Sequence, residues 1–183
     1  FDAHWRMLLE RVRNHPGRTV IAIVGAGAGG VELTLALQYR LRAELGALGR
    51  DPDELELHLM TADDRILATH NARVRDHFER ILAARGVAVH RNARVDAVAP
   101  GQLSTSSGET VEADEIVWVT QAGGASWLAD TGLELDSDGF IRVTDTLQTT
   151  VDPNIFAAGD IATMINHPRP KSGVFAVRQG RPL

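Results

Sequence analysis

The chain has 183 residues, 44% of them hydrophobic and 23% charged, which is typical of a globular protein with one main core. Its 19 Lys and Arg residues against 24 Asp and Glu give a net charge of −5, and no segment is strongly basic, which disfavours a nucleic-acid-binding surface. It contains no cysteine, which excludes a disulfide, a thiolate zinc site or a redox-active dithiol within the chain.

No apolar stretch approaches the roughly 18–20 residues that span a bilayer, and the polar amphipathic start does not resemble a signal peptide. We therefore expect a cytoplasmic protein. The first residue is Phe1, and Ser172–Leu183 opens a helical pattern that stops abruptly. We expect a piece of a longer protein.

The first half of the sequence predicts a βαβ unit. Residues 1–14 carry apolar side chains at helical spacing, and Thr19–Val24 is an apolar, β-branched run typical of a buried parallel strand. A glycine turn leads to a helix over Val31–Leu45, and Leu55–Met60 alternates as a second strand.

The second half continues this alternation and then changes. Asn71–Arg85 predicts another helix and Val87–Val89 a third strand, whereas Val95–Val119 predicts an antiparallel meander that returns to the sheet. Residues 126–150 are turn-rich, and Ile155–Asp160 predicts a short buried strand ending in Gly-Asp. The fold class is α/β: a Rossmann-like parallel sheet with flanking helices and a small antiparallel meander.

The glycine turn carries the clearest functional signal. Gly25, Gly27 and Gly30 form Gly-x-Gly-x-x-Gly between a strand and a helix. In a dinucleotide site, the first glycine permits a tight turn, the second lets the backbone approach the pyrophosphate, and the third lets the helix pack closely. The alternative is a glycine turn used only for packing.

Coenzyme choice depends on the loop after the second strand, where an acid usually binds the ribose hydroxyls. Thr61 follows the strand directly, and the first acids are Asp63 and Asp64. Asp63 directed at the ribose favours NAD(H), whereas Arg65 facing a 2′-phosphate would favour NADP(H). An exposed loop acid without a ligand role is the other interpretation of Asp63.

Three motifs in order, Val24–Leu33, Asp64–Leu67 and Thr150–Asp160, resemble the pyridine nucleotide-disulfide oxidoreductase superfamily, and within it type II NADH dehydrogenases. The tail Pro168–Gly180 is similar to a flavin-facing helix, particularly that of flavoproteins fused to selenide, water dikinase. The resemblance implies NAD(H) and, in the full-length protein, FAD.

The resemblance also implies site residues and domain boundaries. Gly159 and Asp160 would meet the flavin's ribityl chain, Glu32 would lie near the nicotinamide, and Gly123 belongs to a crossover loop beside the cofactor. Capping of the following helix is the alternative for Asp160, and a helix-surface acid in the first turn is the alternative for Glu32. The domains are a connecting helix (1–16), an NAD(P)(H)-binding domain (17–125) and a partial C-terminal segment of the FAD-binding domain (126–183).

The expected activity is transfer of hydride from NADH to FAD and on to a small acceptor such as a quinone. The cofactors would carry the redox chemistry, so no catalytic side chain is predicted, and the scattered histidines predict no metal site. The alternatives are a ferredoxin- or disulfide-linked reductase, a redox module fused to selenide, water dikinase, and a non-enzymatic NAD(H) sensor. Further expected partners are the remainder of the FAD domain and, through parts outside the chain, a membrane surface.

Overall fold

The computed structural model describes residues 2–120, 123–169 and 171–180, which form two compact units that divide between residues 121 and 122. The helices are α1 (Asp2–Asn14), α2 (Ala28–Ala47), α3 (Ala72–Ala84) and α4 (Gly173–Gln179). The strands of the first unit are β1 (Thr19–Val24), β2 (Leu55–Met60), β3 (Ala88–His90), β4 (Val95–Ala99), β5 (Gln102–Thr105), β6 (Thr110–Glu112) and β7 (Glu115–Trp118). Those of the second unit are β8 (Ile141–Val143) and β9 (Ala162–Met164).

A four-stranded parallel sheet in the order β3-β2-β1-β7 forms the centre of the first unit. All six residues of β1 are buried, as expected for a strand covered on both faces. Strands β4, β5 and β6 form a separate antiparallel sheet. The predicted α/β fold, with its parallel sheet and small antiparallel meander, is confirmed.

The two faces of the parallel sheet bury different residues. On one face, α1 contributes Leu8 and Val12, and α2 contributes Leu41 and Leu45, to a cluster with the odd-numbered side chains of β2. On the other face, Met60 of β2 packs with side chains from the meander. Sheet residues one apart therefore lie in different cores, as the pleat requires.

The second unit has a smaller core. Strands β8 and β9 pair in parallel, and their buried side chains pack with Leu128, Leu147 and Ala157. The segment over residues 126–150 contains a 3₁₀ turn at Ser126–Thr131 and β8, in agreement with the turn-rich pattern. Across the described part of both units, no helix is long and apolar enough to cross a membrane.

The predicted buried strand over Ile155–Asp160 is wrong. A turn at Asp152–Asn154 folds this segment back, and its pairing is limited to one bridge between Phe156 and Gln148. Ile155 and Phe156 are 41% and 49% exposed. A 3₁₀ turn over Gly159–Ile161 follows, and Gly159 at its start has a φ of 75°.

Candidate functional site

The glycine turn begins where β1 ends at Val24. Gly25 has a φ of 113°, which side chains of L-residues rarely adopt. Its N–H donates to the Met60 carbonyl oxygen at 2.9 Å, and a Cβ on Gly25 would lie 2.6 Å from the carbonyl oxygen of Val119. Backbone geometry and close approach both require glycine at this position.

The other two glycines of the motif differ from each other. A Cβ on Gly30 would lie 1.7 Å from the Gly25 carbonyl oxygen, so the start of α2 packs directly on the turn. A Cβ on Gly27 would meet nothing within 4 Å. Gly27 is therefore not required for packing within the first unit, and its open surroundings leave room for a ligand.

The N-terminus of α2 has free donors beside Gly27. Gly27 is the N-cap and has no side chain to cap the helix, and the first helical bond runs from the Val31 N–H to the Gly27 carbonyl at 3.0 Å. The amides of residues 28–30 therefore have no acceptor within the helix. These donors and the helix dipole favour an anion at this end.

Glu32 does not lie in the first turn of α2, where its alternative interpretation as a helix-surface acid placed it. Because α2 begins at Ala28, Glu32 belongs to the second turn, and the first turn contains no acid. A first-turn role for Glu32 is therefore wrong. Its side chain is exposed on the helix surface.

The loop after β2 lies at the same edge of the sheet as the glycine turn. Thr61 is buried, its N–H donates to the His90 carbonyl oxygen at 2.9 Å, and its hydroxyl accepts the N–H of Asp63 at 3.2 Å. The Asp63 side chain is exposed. The threonine is thus used to shape the loop, and the carboxylate of Asp63 stays free to meet a ligand.

A direct bond joins this loop to the glycine turn, and sequence reasoning missed it. The Leu67 N–H donates to the Ala26 carbonyl oxygen at 2.8 Å, and Ile66 and Leu67 are both buried. Leu67 has a φ of 50°, which is uncommon for a residue with a branched side chain. Apolar residues within a charged loop were the available signal for this anchor.

Asp64 and Arg65 form an ion pair within the same loop. The Arg65 Nε donates to Asp64 Oδ1 at 2.7 Å, and a terminal guanidinium nitrogen donates to Oδ2. The hydrogen bond from the guanidinium lowers the pKa of Asp64. Two of the guanidinium nitrogens that would meet a 2′-phosphate therefore already have a carboxylate partner.

In the second unit, the structure places Gly159 and Asp160 in a 3₁₀ turn. The Gly159 N–H donates to Oε1 of Gln179 at 2.8 Å, which ties the turn to α4. Asp160 is exposed and lies inside the 3₁₀ turn, two residues after its N-cap residue Ala158. The alternative that Asp160 caps a helix is therefore wrong. Neither Gln179 nor its contact was predicted.

Lys171 lies close to this turn and was also missed. Its Nζ donates to Thr163 Oγ1 at 2.9 Å and lies 4.0 Å from the centre of the Phe140 ring. Burial lowers the pKa of Lys171, whereas the carboxylates of Asp136 and Asp160 act in the opposite direction. A cation therefore lies near the predicted flavin-binding turn.

Gly123 and Gly124 pack within the second unit. A Cβ on Gly123 would lie 3.2 Å from the Asp138 carbonyl oxygen, and one on Gly124 would lie 1.8 Å from that of Gly139. The preceding residues of the predicted crossover loop, 121 and 122, lie outside the described residues. Close packing accounts for Gly124 without a ligand.

Comparison with known proteins gives a consistent result. The sequence model of the family described as pyridine nucleotide-disulphide oxidoreductase matches residues 8–180. The chain is 37% identical over 153 residues to the type II NADH:quinone oxidoreductase of Haemophilus influenzae, covering 79% of the chain and 33% of that protein. It is 30% identical over 163 residues to an NADH dehydrogenase-like protein of Mycobacterium tuberculosis, covering 89% of the chain and 40% of that protein.

Solved structures share the fold. The ferredoxin reductase for the CYP199A2 system from Rhodopseudomonas palustris superposes with a TM-score of 0.72 at 23% identity, over 96% of this chain and 42% of that one. The chain thus spans between about a third and two fifths of the length of these relatives.

Proposed function

The chain belongs to the pyridine nucleotide-disulphide oxidoreductase family, and we propose that it supplies the NAD(H)-binding domain of an FAD-dependent oxidoreductase. The observation that carries the proposal is the glycine turn. Its three glycines have the geometry that a pyrophosphate site needs, and Gly27 faces open space. Residues 17–125 are the proposed NAD(P)(H) domain, and residues 126–183 the proposed part of the FAD domain.

The residues at the sheet edge fit a dinucleotide. The amides of residues 28–30 would donate to the pyrophosphate, and the exposed Asp63 would accept hydrogen bonds from the adenosine ribose. Thr61 and Leu67 hold the loop in place through their backbone bonds to the strand and to the glycine turn. The protein groups therefore bind and orient the dinucleotide.

The chemistry that the bound cofactors supply is hydride transfer from the reduced nicotinamide to the flavin. No catalytic side chain is required of this chain, and we assign positioning roles instead. Glu32 would lie beside the nicotinamide, and Gly123 beside the cofactor. Gly159 and Asp160 would hold the flavin's ribityl hydroxyls, with the remainder of the FAD domain supplied by other parts of the protein.

The loop after β2 favours NAD(H) over NADP(H). A 2′-phosphate would meet the free carboxylate of Asp63 and would have to compete with Asp64 for the Arg65 guanidinium. Asp64→Ala removes this competitor. We expect the ratio of the NADPH to the NADH dissociation constant to fall several-fold in this variant and to return toward the original value in Asp64→Ala/Arg65→Gln. An unchanged ratio in Asp64→Ala would contradict this part of the proposal.

A quinone is the proposed electron acceptor, because the relative named as an NADH:quinone oxidoreductase matches 79% of the chain. A coenzyme A disulfide reductase of Staphylococcus aureus matches 45% of the chain, at 34% identity over 83 residues. The disulfide- and ferredoxin-linked alternatives, fusion to a selenide, water dikinase, a cytoplasmic location and peripheral membrane attachment all stay predictions.

Calorimetric titration with NADH and NADPH tests the proposal. The chain should bind NADH saturably, and Gly27→Val should abolish binding while leaving the fold intact, because the new side chain enters the space meant for the pyrophosphate. Gly46→Ala is the matched control, since Gly46 also has nothing within 4 Å of its Cβ position but lies near the other end of α2. Equal NADH binding by Gly27→Val and the unsubstituted chain would refute the proposal.

A further inference from the structure

Four titratable side chains, none of them assigned a role in the proposed dinucleotide site, form a continuous hydrogen-bonded row. Nε2 of His58 lies 2.8 Å from Oε1 of Glu56, and Nδ1 of His58 lies 2.9 Å from Nε2 of His90. Nδ1 of His90 lies 2.7 Å from Oε1 of Glu109. Each imidazole therefore has a carboxylate at its outer nitrogen and the other imidazole at its inner nitrogen.

One number of ring protons satisfies every hydrogen bond in this row. An ionised carboxylate only accepts, so the outer nitrogens of His58 and His90 must both carry a proton. The inner bond needs one proton between the two nitrogens. Without a proton on either inner nitrogen, two lone pairs would face each other at 2.9 Å. With a proton on both inner nitrogens, two N–H groups would face each other. Three ring protons on two imidazoles amount to one imidazolium and one neutral ring.

Both imidazole rings lie largely out of solvent. The side chain of His58 is 12% exposed and that of His90 is 20% exposed. Burial lowers the pKa of His58, while Glu56 acts in the opposite direction and the neighbouring charges of His90 and Arg18 add to the lowering. The proton between Nδ1 of His58 and Nε2 of His90 is therefore largely shielded from solvent, and a carboxylate lies at each end of the pair.

The charged groups that face this pair come from each element around it. Glu56 lies on β2 beside His58, and Glu109 lies in the turn that leads into β6. Arg18, just before β1, pairs with the second oxygen of Glu56 at 2.8 Å. The row therefore joins the central parallel sheet to the antiparallel meander.

We propose that His58 and His90 share a single proton and form a pH-sensitive clasp between the central sheet and the meander. In the unfolded chain both histidines titrate near pH 6.5. Above about pH 7.5 the folded pair holds one proton more than the unfolded chain, so stability falls as pH rises. Well below pH 6.5 the unfolded chain holds the extra proton, so stability falls as pH decreases. The clasp is strongest near pH 6.5.

The test is the pH dependence of the unfolding equilibrium, measured by chemical denaturation. His90→Gln places an amide donor where His90 Nε2 lies, so it keeps a donor to His58 without a proton that titrates. Between about pH 7.5 and the pH at which the pair loses its proton, the unfolding equilibrium constant of the unsubstituted chain should rise by up to about tenfold per pH unit relative to His90→Gln. His77→Gln, which removes an exposed imidazole of α3, should follow the unsubstituted chain.

A second measurement needs no variant to fold. Nitrogen NMR of the unsubstituted chain at pH 7 should show three protonated ring nitrogens across His58 and His90, one more than two neutral imidazoles carry. Two neutral imidazoles at that pH would overturn the proposal. Parallel stability curves for the unsubstituted chain and His90→Gln above pH 7.5 would do the same.

Discussion

Two glycines of α2 allow a sharp test of how the glycine turn is packed. Both Gly30 and Gly46 lie within the helix, so the higher helix propensity of alanine should stabilise the helix by about 0.5–1 kcal/mol at each position. The added Cβ has nothing within 4 Å at Gly46, whereas at Gly30 it lies 1.7 Å from the Gly25 carbonyl oxygen and 2.9 Å from its carbon. Only Gly30→Ala therefore creates a clash.

The magnitude follows from the atoms involved. A Cβ is hardly ever found closer than 3.0 Å to such a neighbour, so the backbone would have to separate by about 1.3 Å at Gly30. Overpacking costs about 1–3 kcal/mol even when side chains can move aside. Here the neighbouring atoms belong to the backbone and cannot move aside. We therefore expect Gly30→Ala to lower the free energy of unfolding by about 2 kcal/mol or more, after the gain from higher helix propensity is included.

Urea denaturation of the two variants measures the difference directly. Gly46→Ala should unfold at a slightly higher urea concentration than the unsubstituted chain, and Gly30→Ala at a clearly lower one, with similar slopes. If Gly30→Ala is as stable as Gly46→Ala, the close approach of α2 to the glycine turn is not a property of the folded chain.

Three further predictions concern other parts of the molecule. Asn71→Ala removes the side-chain cap of α3 and should lower the free energy of unfolding by about 1 kcal/mol, as measured by urea denaturation. Gly124→Ala should weaken the second unit, because its Cβ would lie 1.8 Å from the Gly139 carbonyl oxygen; increased proteolysis after residue 123 would reveal it, and unchanged resistance would contradict it. The hydrogen bond from Arg13 lowers the pKa of Glu44 below 4.5, so its stabilisation is present above that pH and is lost on acidification. Glu44→Gln should therefore flatten the acid limb of the stability profile.

Much of the fold could be predicted because local signals agreed with the tertiary structure. The strand prediction at Thr19–Val24 has the observed bounds, since a β-branched apolar run lies between a proline-glycine break and a glycine turn. The bounds of Leu55–Met60 are also correct, because its alternating side chains face two different cores. Periods of two and of 3.6 residues are set by the backbone and are visible in the sequence.

The prediction failed where structure depends on pairing between distant residues. Ile155–Asp160 has the composition of a buried strand, but the turn before it limits its pairing to one bridge. Leu67 adopts a left-handed conformation because its amide meets Ala26, which no local pattern indicates. His58 and His90 are 32 positions apart, and only the alignment of β2 with β3 brings them together.

Of the proposed dinucleotide site, too, only part could be predicted from the sequence. The roles of Gly25 and Gly30 follow from the motif, because each glycine in that spacing answers a separate steric demand. The glycine motif does not predict the conformation of the loop after β2. There, a buried threonine and an ion pair between Asp64 and Arg65 replace the usual acid at the end of the strand. Their arrangement became visible only in the folded chain.

The central claim is that the free amides at the start of α2 bind the pyrophosphate of NADH. Amide NMR spectra of the chain during titration with NADH test it most directly, because each backbone N–H reports its own environment. We predict saturable shifts for Ala28, Gly29 and Gly30, and smaller ones for Asp63, with little change in β8 or β9. Saturable binding that leaves residues 28–30 unshifted would show that NADH binds elsewhere and would contradict the account.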